Sequence, residues 1–113
     1  MKKRILTGIT TTGTPHIGNY IGAIRPAIEM TKDSDESFFF LADYHSIIKN
    51  QDSDSIKNSV KNVALAWLSS GLDPNKSYFY KQSDVPEIIE LCWILNCITA
   101  KAVSYTHLTL PTT

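Results

Sequence analysis

The sequence predicts an α/β fold, a parallel sheet with helices on both faces. Three observations predict it. Short apolar runs alternate with segments of helical period, the run Phe38–Ala42 is apolar at every position, and the first run feeds a Thr- and Gly-rich loop that opens directly into a helix.

The elements follow in order. Ile5-Leu6 to Ile9 reads as a strand, and Thr10-Thr11-Thr12-Gly13-Thr14-Pro15 as the loop after it. From about Gly18, Ile21, Ile24, Ala27 and Ile28 recur on one helical face, and Pro26 inside that face is expected to kink or shorten the helix because it lacks a backbone donor. A polar connection, residues 33–37, leads to Phe38–Ala42. An unbroken apolar run of this kind reads as a strand buried on both faces. It ends abruptly at Asp43-Tyr44-His45. Ile56, Val60, Val63, Ala64, Trp67 and Leu68 then fall at spacings of 4, 3, 1, 3 and 1, the cleanest amphipathic helix in the chain. Asp52, Ser53 and Asp54 offer N-caps for it, and Gly71 a stop. Asp73-Pro74-Asn75 is a turn, Tyr78-Phe79-Tyr80 a short strand, and Pro86 with Glu87 begins a last helix running through Ile98. Trp67 is expected in the core. Trp93 is expected in packing or at a subunit interface.

With 113 residues, 42% hydrophobic and 19% charged, the chain is one domain or one piece of a larger protein. Eleven Lys and Arg balance eleven Asp and Glu, so no net positive field draws it onto a polyanion, although Lys2, Lys3 and Arg4 cluster at the start. No apolar run approaches the roughly 20 residues that cross a bilayer, and no secretory signal precedes the first strand. No membrane role and a cytoplasmic setting are the expectations. Cys92 and Cys97 are too few and wrongly spaced for a disulfide framework or a zinc site, and reduced, buried thiols are expected. The pairs Asp33/Asp35 and Asp52/Asp54 read as loop and cap residues, so no metal site is expected.

The chemistry concentrates between Thr7 and Gly22. Ligands of open α/β sheets bind beyond the carboxyl ends of the strands, and the first strand-to-helix loop is the usual phosphate site. Gly8 and Gly13 allow close backbone approach or positive φ, Thr10, Thr11 and Thr12 supply hydroxyls, and Gly18 leaves room for a flat group such as a purine. The helix N-terminus adds unpaired N–H groups. His16 and Asn19, three apart, can both donate toward a phosphoryl oxygen whose charge grows during displacement. A histidine here can equally serve as a simple helix cap. Neither G-x-x-x-x-G-K-[ST] nor G-x-G-x-x-G occurs, so a P-loop ATPase and a standard dinucleotide site lose their main support. Asp43 and His45 are either functional or a structural hydrogen-bonded corner.

Pro15-His16-Ile17-Gly18-Asn19 resembles the HIGH signature of class I aminoacyl-tRNA synthetases, with Asn19 in place of the second histidine. The string from Thr7 to Ala23 is similar to the tryptophanyl branch of that family. So, in the same order, are Leu41-Ala42-Asp43-Tyr44-His45, Gly71-Leu72-Asp73-Pro74 and Gln82-Ser83-Asp84-Val85-Pro86-Glu87. The resemblance covers about residues 4–102. It implies the first half of a Rossmann-like catalytic domain that, with Mg²⁺, converts L-tryptophan and ATP to tryptophanyl-adenylate and pyrophosphate, then passes the acyl group to tRNA(Trp). It further implies that Thr10, Thr11, Thr12, Gly18 and Asn19 meet ATP and that His16, with Asn19, stabilises the α-phosphoryl transition state. Leu6 and Gly8 would line the amino-acid pocket, with Asp43 and His45 near it, and the parent would be a homodimer. Thr10 to Thr12 departs from the Gln-Pro-Ser often seen in relatives. A tyrosyl-tRNA synthetase fragment and a small ATP-binding module are the competing readings.

The resemblance also implies a KMSKS-type lysine loop, an anticodon-reading helical region and an acidic residue gripping the indole nitrogen, none of which stands in these 113 residues. The chain is expected to be incomplete and inactive by itself. Residues 103–113 contain no acid, Lys or Arg and interrupt a helical pattern without a stop signal. They resemble the in-frame translation of a transposase-type sequencing adaptor. The expected division is therefore residues 1–102 as the N-terminal part of the catalytic domain and 103–113 as a non-native tail.

Overall fold

The structure, a computed structural model, describes residues 1–100, and the tail expected at 103–113 lies outside them. The apolar runs become strands β1 (Arg4–Thr10), β2 (Glu36–Ala42) and β3 (Tyr78–Lys81), side by side in that order and parallel. Thr10 is level with Ala42, and Leu41 with Lys81, so the carboxyl ends of all three strands gather at one rim of the sheet.

A helical rod in pieces joins β1 to β2: α1 (Ile17–Asn19), a π-helical turn (Tyr20–Ile24), α2 (Arg25–Met30) and a 3-10 turn (Thr31–Asp33). Pro26 falls in the first turn of α2. The helix widens just before it, where the Arg25 N–H donates to the Tyr20 carbonyl. Proline offers no N–H to the carbonyl one turn back and its ring presses on that carbonyl, so the disturbance expected at Pro26 takes the form of a widened turn just upstream. After β2 come α3 (Asp43–Ser46) and α4 (Ser53–Ser69). The Asp52 carboxylate caps α4 by accepting the Ser55 N–H at 2.8 Å, and its apolar stripe buries Val63 and Trp67. A 3-10 turn (Gln82–Asp84) follows β3, then α5 (Glu87–Ile98).

Ile9, Phe39 and Leu41 from the sheet, Ile24 and Ala27 from the first rod, Val63 and Trp67 from α4, and Leu72 form the core. Phe39 is fully buried, its ring 5.8 Å from that of Trp67 at a tilt. An aliphatic or aromatic side chain buried in this way stabilises the fold by about 1.5–3 kcal/mol.

The expectation of helices on both faces is corrected for these residues. Both crossovers, β1 to β2 and β2 to β3, advance across the sheet in the same direction, and right-handed crossovers moving one way deliver their helices to one face. The other face stays largely open: Leu6 is 67% exposed and Tyr78 58%. Phe38 stacks on Tyr78 with ring centroids 4.7 Å apart. β2 is therefore buried alternately, at Phe39 and Leu41 but only in part at Phe38 and Phe40, and not on both faces as its composition suggests.

The expectation of buried thiols is also corrected. Cys92 and Cys97 are free and exposed, because α5 buries none of its residues. Trp93 on the same helix is exposed among the described residues. Among those residues, no helix is long and apolar enough to cross a membrane.

Candidate active site

The site is built where β1 ends and the first rod begins. His16 occupies the N-cap of α1 in extended conformation. Its Nδ1 accepts the Gly18 N–H at 3.1 Å, while Asn19 Oδ1 accepts the His16 N–H at 2.9 Å. The cap is thus reciprocal, satisfying two N–H groups at the helix start.

This bonding fixes which atoms remain free. With Nδ1 accepting, the proton of a neutral His16 ring sits on Nε2. With Oδ1 accepting, the Asn19 amide keeps its Nδ2 hydrogens. Both side chains therefore present donors outward, which suits an anionic oxygen and not a cation.

Gly18 is explained by the same geometry. A Cβ on residue 18 would stand 2.9 Å from His16 Cε1 and 3.0 Å from Nδ1. A flat group does rest on the bare backbone of Gly18, and it is the His16 imidazole. At Gly8 the equivalent space is taken by Phe40, whose Cζ would lie 2.7 Å from a Cβ there. Gly13 takes φ +73°, a left-handed turn that lets the loop double back before α1.

The three threonines have separate fates. Thr10 and Thr12 line a cavity of about 410 Å³ beside the carboxyl half of β1, together with Gly8 and Asn19, with Trp67 and Ile24 among its apolar walls. Thr11 is buried, and its hydroxyl is hydrogen-bonded to the Ser46 hydroxyl and to the Ala42 carbonyl, the latter at 3.3 Å. Its side chain anchors the loop to the end of β2 and is not free to reach a ligand. Nothing local in the sequence marks Ser46, a lone serine after His45.

Asp43 and His45 stand apart from that cavity. Asp43 accepts the Ser83 N–H at 3.1 Å and also the Ser83 hydroxyl. His45 Nδ1 meets Gln82 Oε1 at 3.0 Å. The pair forms a hydrogen-bonded corner that ties α3 to the turn after β3. Gln82 and Ser83 stand 37 and 40 positions away from their partners, so only the fold reveals their roles. Leu6 lies on the open sheet face, exposed. Among the described residues, no group of three or more His, Cys, Asp or Glu side chains could hold a metal ion.

A charged cluster lies at the opposite rim of the sheet. A hydrogen bond from the Arg4 guanidinium, joined by the charges of Arg4 and Lys2, holds the Glu36 carboxyl below its ordinary range. It tethers the strand starts and takes no part in the site.

A family model described as tRNA synthetases class I (W and Y) matches residues 1–105. Tryptophan–tRNA ligase of Neisseria meningitidis is 59% identical over 103 residues, covering 90% of this chain and 31% of that protein. The Pseudomonas syringae ligase is 58% identical over 104 residues, 91% of this chain and 23% of its own. A crystal structure of Campylobacter jejuni tryptophanyl-tRNA synthetase complexed with ADP and tryptophan superposes with a TM-score of 0.82 at 42% identity, over 88% of this chain and 31% of that one. The Mycoplasma pneumoniae synthetase gives 0.79 at 33% identity, over 88% of this chain and 29% of that one. The chain spans about a third or less of the length of these relatives.

Proposed function

This chain belongs to the class I tRNA synthetases of the W and Y group, and from that premise we propose that it is the ATP-handling corner of a tryptophan–tRNA ligase. Residues 1–102 form the N-terminal part of the catalytic domain, and residues 103–113 are a non-native tail. The reaction joins a carboxylate oxygen of L-tryptophan to the α-phosphorus of ATP as the bond to the bridging oxygen of pyrophosphate breaks. The activated acyl group then passes to a hydroxyl at the end of tRNA(Trp).

The reciprocal cap between His16 and Asn19 carries the reading. The attacking carboxylate is already ionised at neutral pH, so neither residue acts as base or nucleophile. What remains is positioning and charge stabilisation. Two donors held by their own backbone bonds need no reorganisation as charge develops on the α-phosphoryl oxygens. Thr10 and Thr12 hydroxyls accompany them along the nucleotide, Gly18 contributes through the His16 ring that it seats, and Thr11 holds the loop. Leu6 and Gly8 at β1, with His45 and Asp43 at the end of β2, flank the amino acid. Mg²⁺ would accompany ATP and would offset negative charge on its phosphates. The exposed apolar residues of α5, Trp93 and Leu91 among them, support a homodimeric parent; a cytoplasmic setting completes the proposal.

Tryptophan is favoured over tyrosine by the Neisseria meningitidis and Pseudomonas syringae relatives, both tryptophan–tRNA ligases. Tryptophan-dependent ATP–pyrophosphate exchange by the full-length protein tests the reading, with tyrosine as the control amino acid. Exchange with tryptophan alone is expected, and none from the 113-residue chain by itself. A short chain that binds ATP from a gene that stops near codon 113 would instead favour a nucleotide-binding module.

A further inference from the structure

We propose that Gln82 is a positioning residue for amino-acid recognition, holding His45 with its proton on Nδ1 so that Nε2 accepts a hydrogen bond from an N–H of the bound amino acid. The inference rests on the reading above and deepens it.

Gln82 follows β3 immediately and is 6% exposed, whereas His45 is exposed. Their contact is Oε1 to Nδ1 at 3.0 Å. An amide oxygen can only accept, so Nδ1 must donate, and which ring nitrogen carries the proton is set by the bond the other makes. Among the described residues no side chain bonds His45 Nε2, which is left as an acceptor at the carboxyl rim of the sheet. An amino acid carries N–H donors that suit this acceptor and phosphate carries none, while the adenine amino group, the other N–H donor among the substrates, is read separately by the KM for ATP.

The neighbouring contact separates this from a purely structural corner. The Asp43 carboxylate already pins the turn to α3 through the Ser83 N–H and hydroxyl. Its oxygens are used inside the protein. A second tether through a buried amide and an exposed imidazole adds little to holding the turn, but it does fix the tautomer of a ring that faces outward. Ser46, next in the chain, is bonded to Thr11, so His45 is held from the loop side as well.

The test uses the full-length protein as wild type, Gln82→Met and Gln82→Glu. Methionine keeps the shape and loses the acceptor, while glutamate keeps an oxygen at the same place. Gln82→Met is expected to raise the KM for tryptophan about five- to tenfold, with the KM for ATP unchanged, as the loss of one oriented hydrogen bond requires. The ¹⁵N signals of His45 should move away from the Nδ1–H form in that variant. Gln82→Glu should retain both the tautomer and the tryptophan KM. A merely structural loss would move neither quantity selectively. An unchanged tryptophan KM and tautomer in Gln82→Met, or tryptophan and ATP KM values rising together, would overturn the inference while wild-type exchange upholds the function. Wild-type protein without tryptophan exchange would overturn the functional reading, and the inference with it.

Discussion

The His16 ring lies against Gly18, with Nδ1 accepting the Gly18 N–H at 3.1 Å and Cε1 2.9 Å from where a Cβ on residue 18 would stand. The glycine and the histidine are therefore one device: the bare backbone seats the ring, and the seated ring points Nε2–H outward.

Gly18→Ala should push the imidazole off its seat and misdirect the donor. In the full-length protein we expect tryptophan-dependent exchange to fall by about 10²-fold, the cost of losing one preorganised donor to a developing oxyanion. Thermal stability should fall by about 1 kcal/mol or less, because the lost cap is partly offset by the preference of alanine for a helical position. The paired measurement is the exchange rate against the melting midpoint.

The threonines should separate cleanly. Thr11→Val removes the bonds of its hydroxyl to Ser46 and to the Ala42 carbonyl and leaves those two only their long 3.4 Å contact with each other, which costs about 1–3 kcal/mol of stability. Thr11→Val combined with Ser46→Ala should cost less than the sum of the two, since they share one interaction. Thr12→Val, at the cavity wall, should instead raise the KM for ATP and leave stability near wild type. Denaturation midpoints and ATP saturation curves for the variants check the division.

Acid should loosen the far rim of the sheet. Glu36 is held below its ordinary value of 4.5 by its hydrogen bond from Arg4 and by the charges of Arg4 and Lys2. A carboxyl with a depressed folded-state pKa contributes stability above its unfolded value and loses it as pH falls through the folded one. Glu36 is only half-buried and its partners Lys2 and Arg4 are exposed, so the effect is small and weakens with salt. Glu36→Gln should lower the melting midpoint slightly at pH 7, and the difference from wild type should shrink as the pH is taken well below 4.5. A difference that persists unchanged in acid would contradict the assignment.

Much of this was legible in the sequence, and what was not has physical causes. The period of Val60, Val63, Ala64 and Trp67 specified α4 and its buried face, and Asp52 its cap. Periodicity reports which residues share a face, but not whether anything covers it. Phe38 and Phe40 read as core and lie on a sheet face left largely open, and Cys92 and Cys97 read as buried on a helix that packs against little. The strand-to-helix loop was found from composition and position. The burial of Thr11 was not, because its partner Ser46 is 35 residues away. The π-helical turn before Pro26 likewise needed the backbone, since proline announces a disturbance and not its form.

The central claim is that His16 contributes a donor beyond its role as helix cap. His16→Asn separates the two, because asparagine caps a helix start well but has no outward Nε2–H. The decisive measurement is the tryptophan-dependent ATP–pyrophosphate exchange rate of full-length His16→Asn at saturating substrates. A fall of about 10²-fold or more with an unchanged melting midpoint is the predicted result. A rate within about threefold of wild type, less than 1 kcal/mol of barrier, would contradict it.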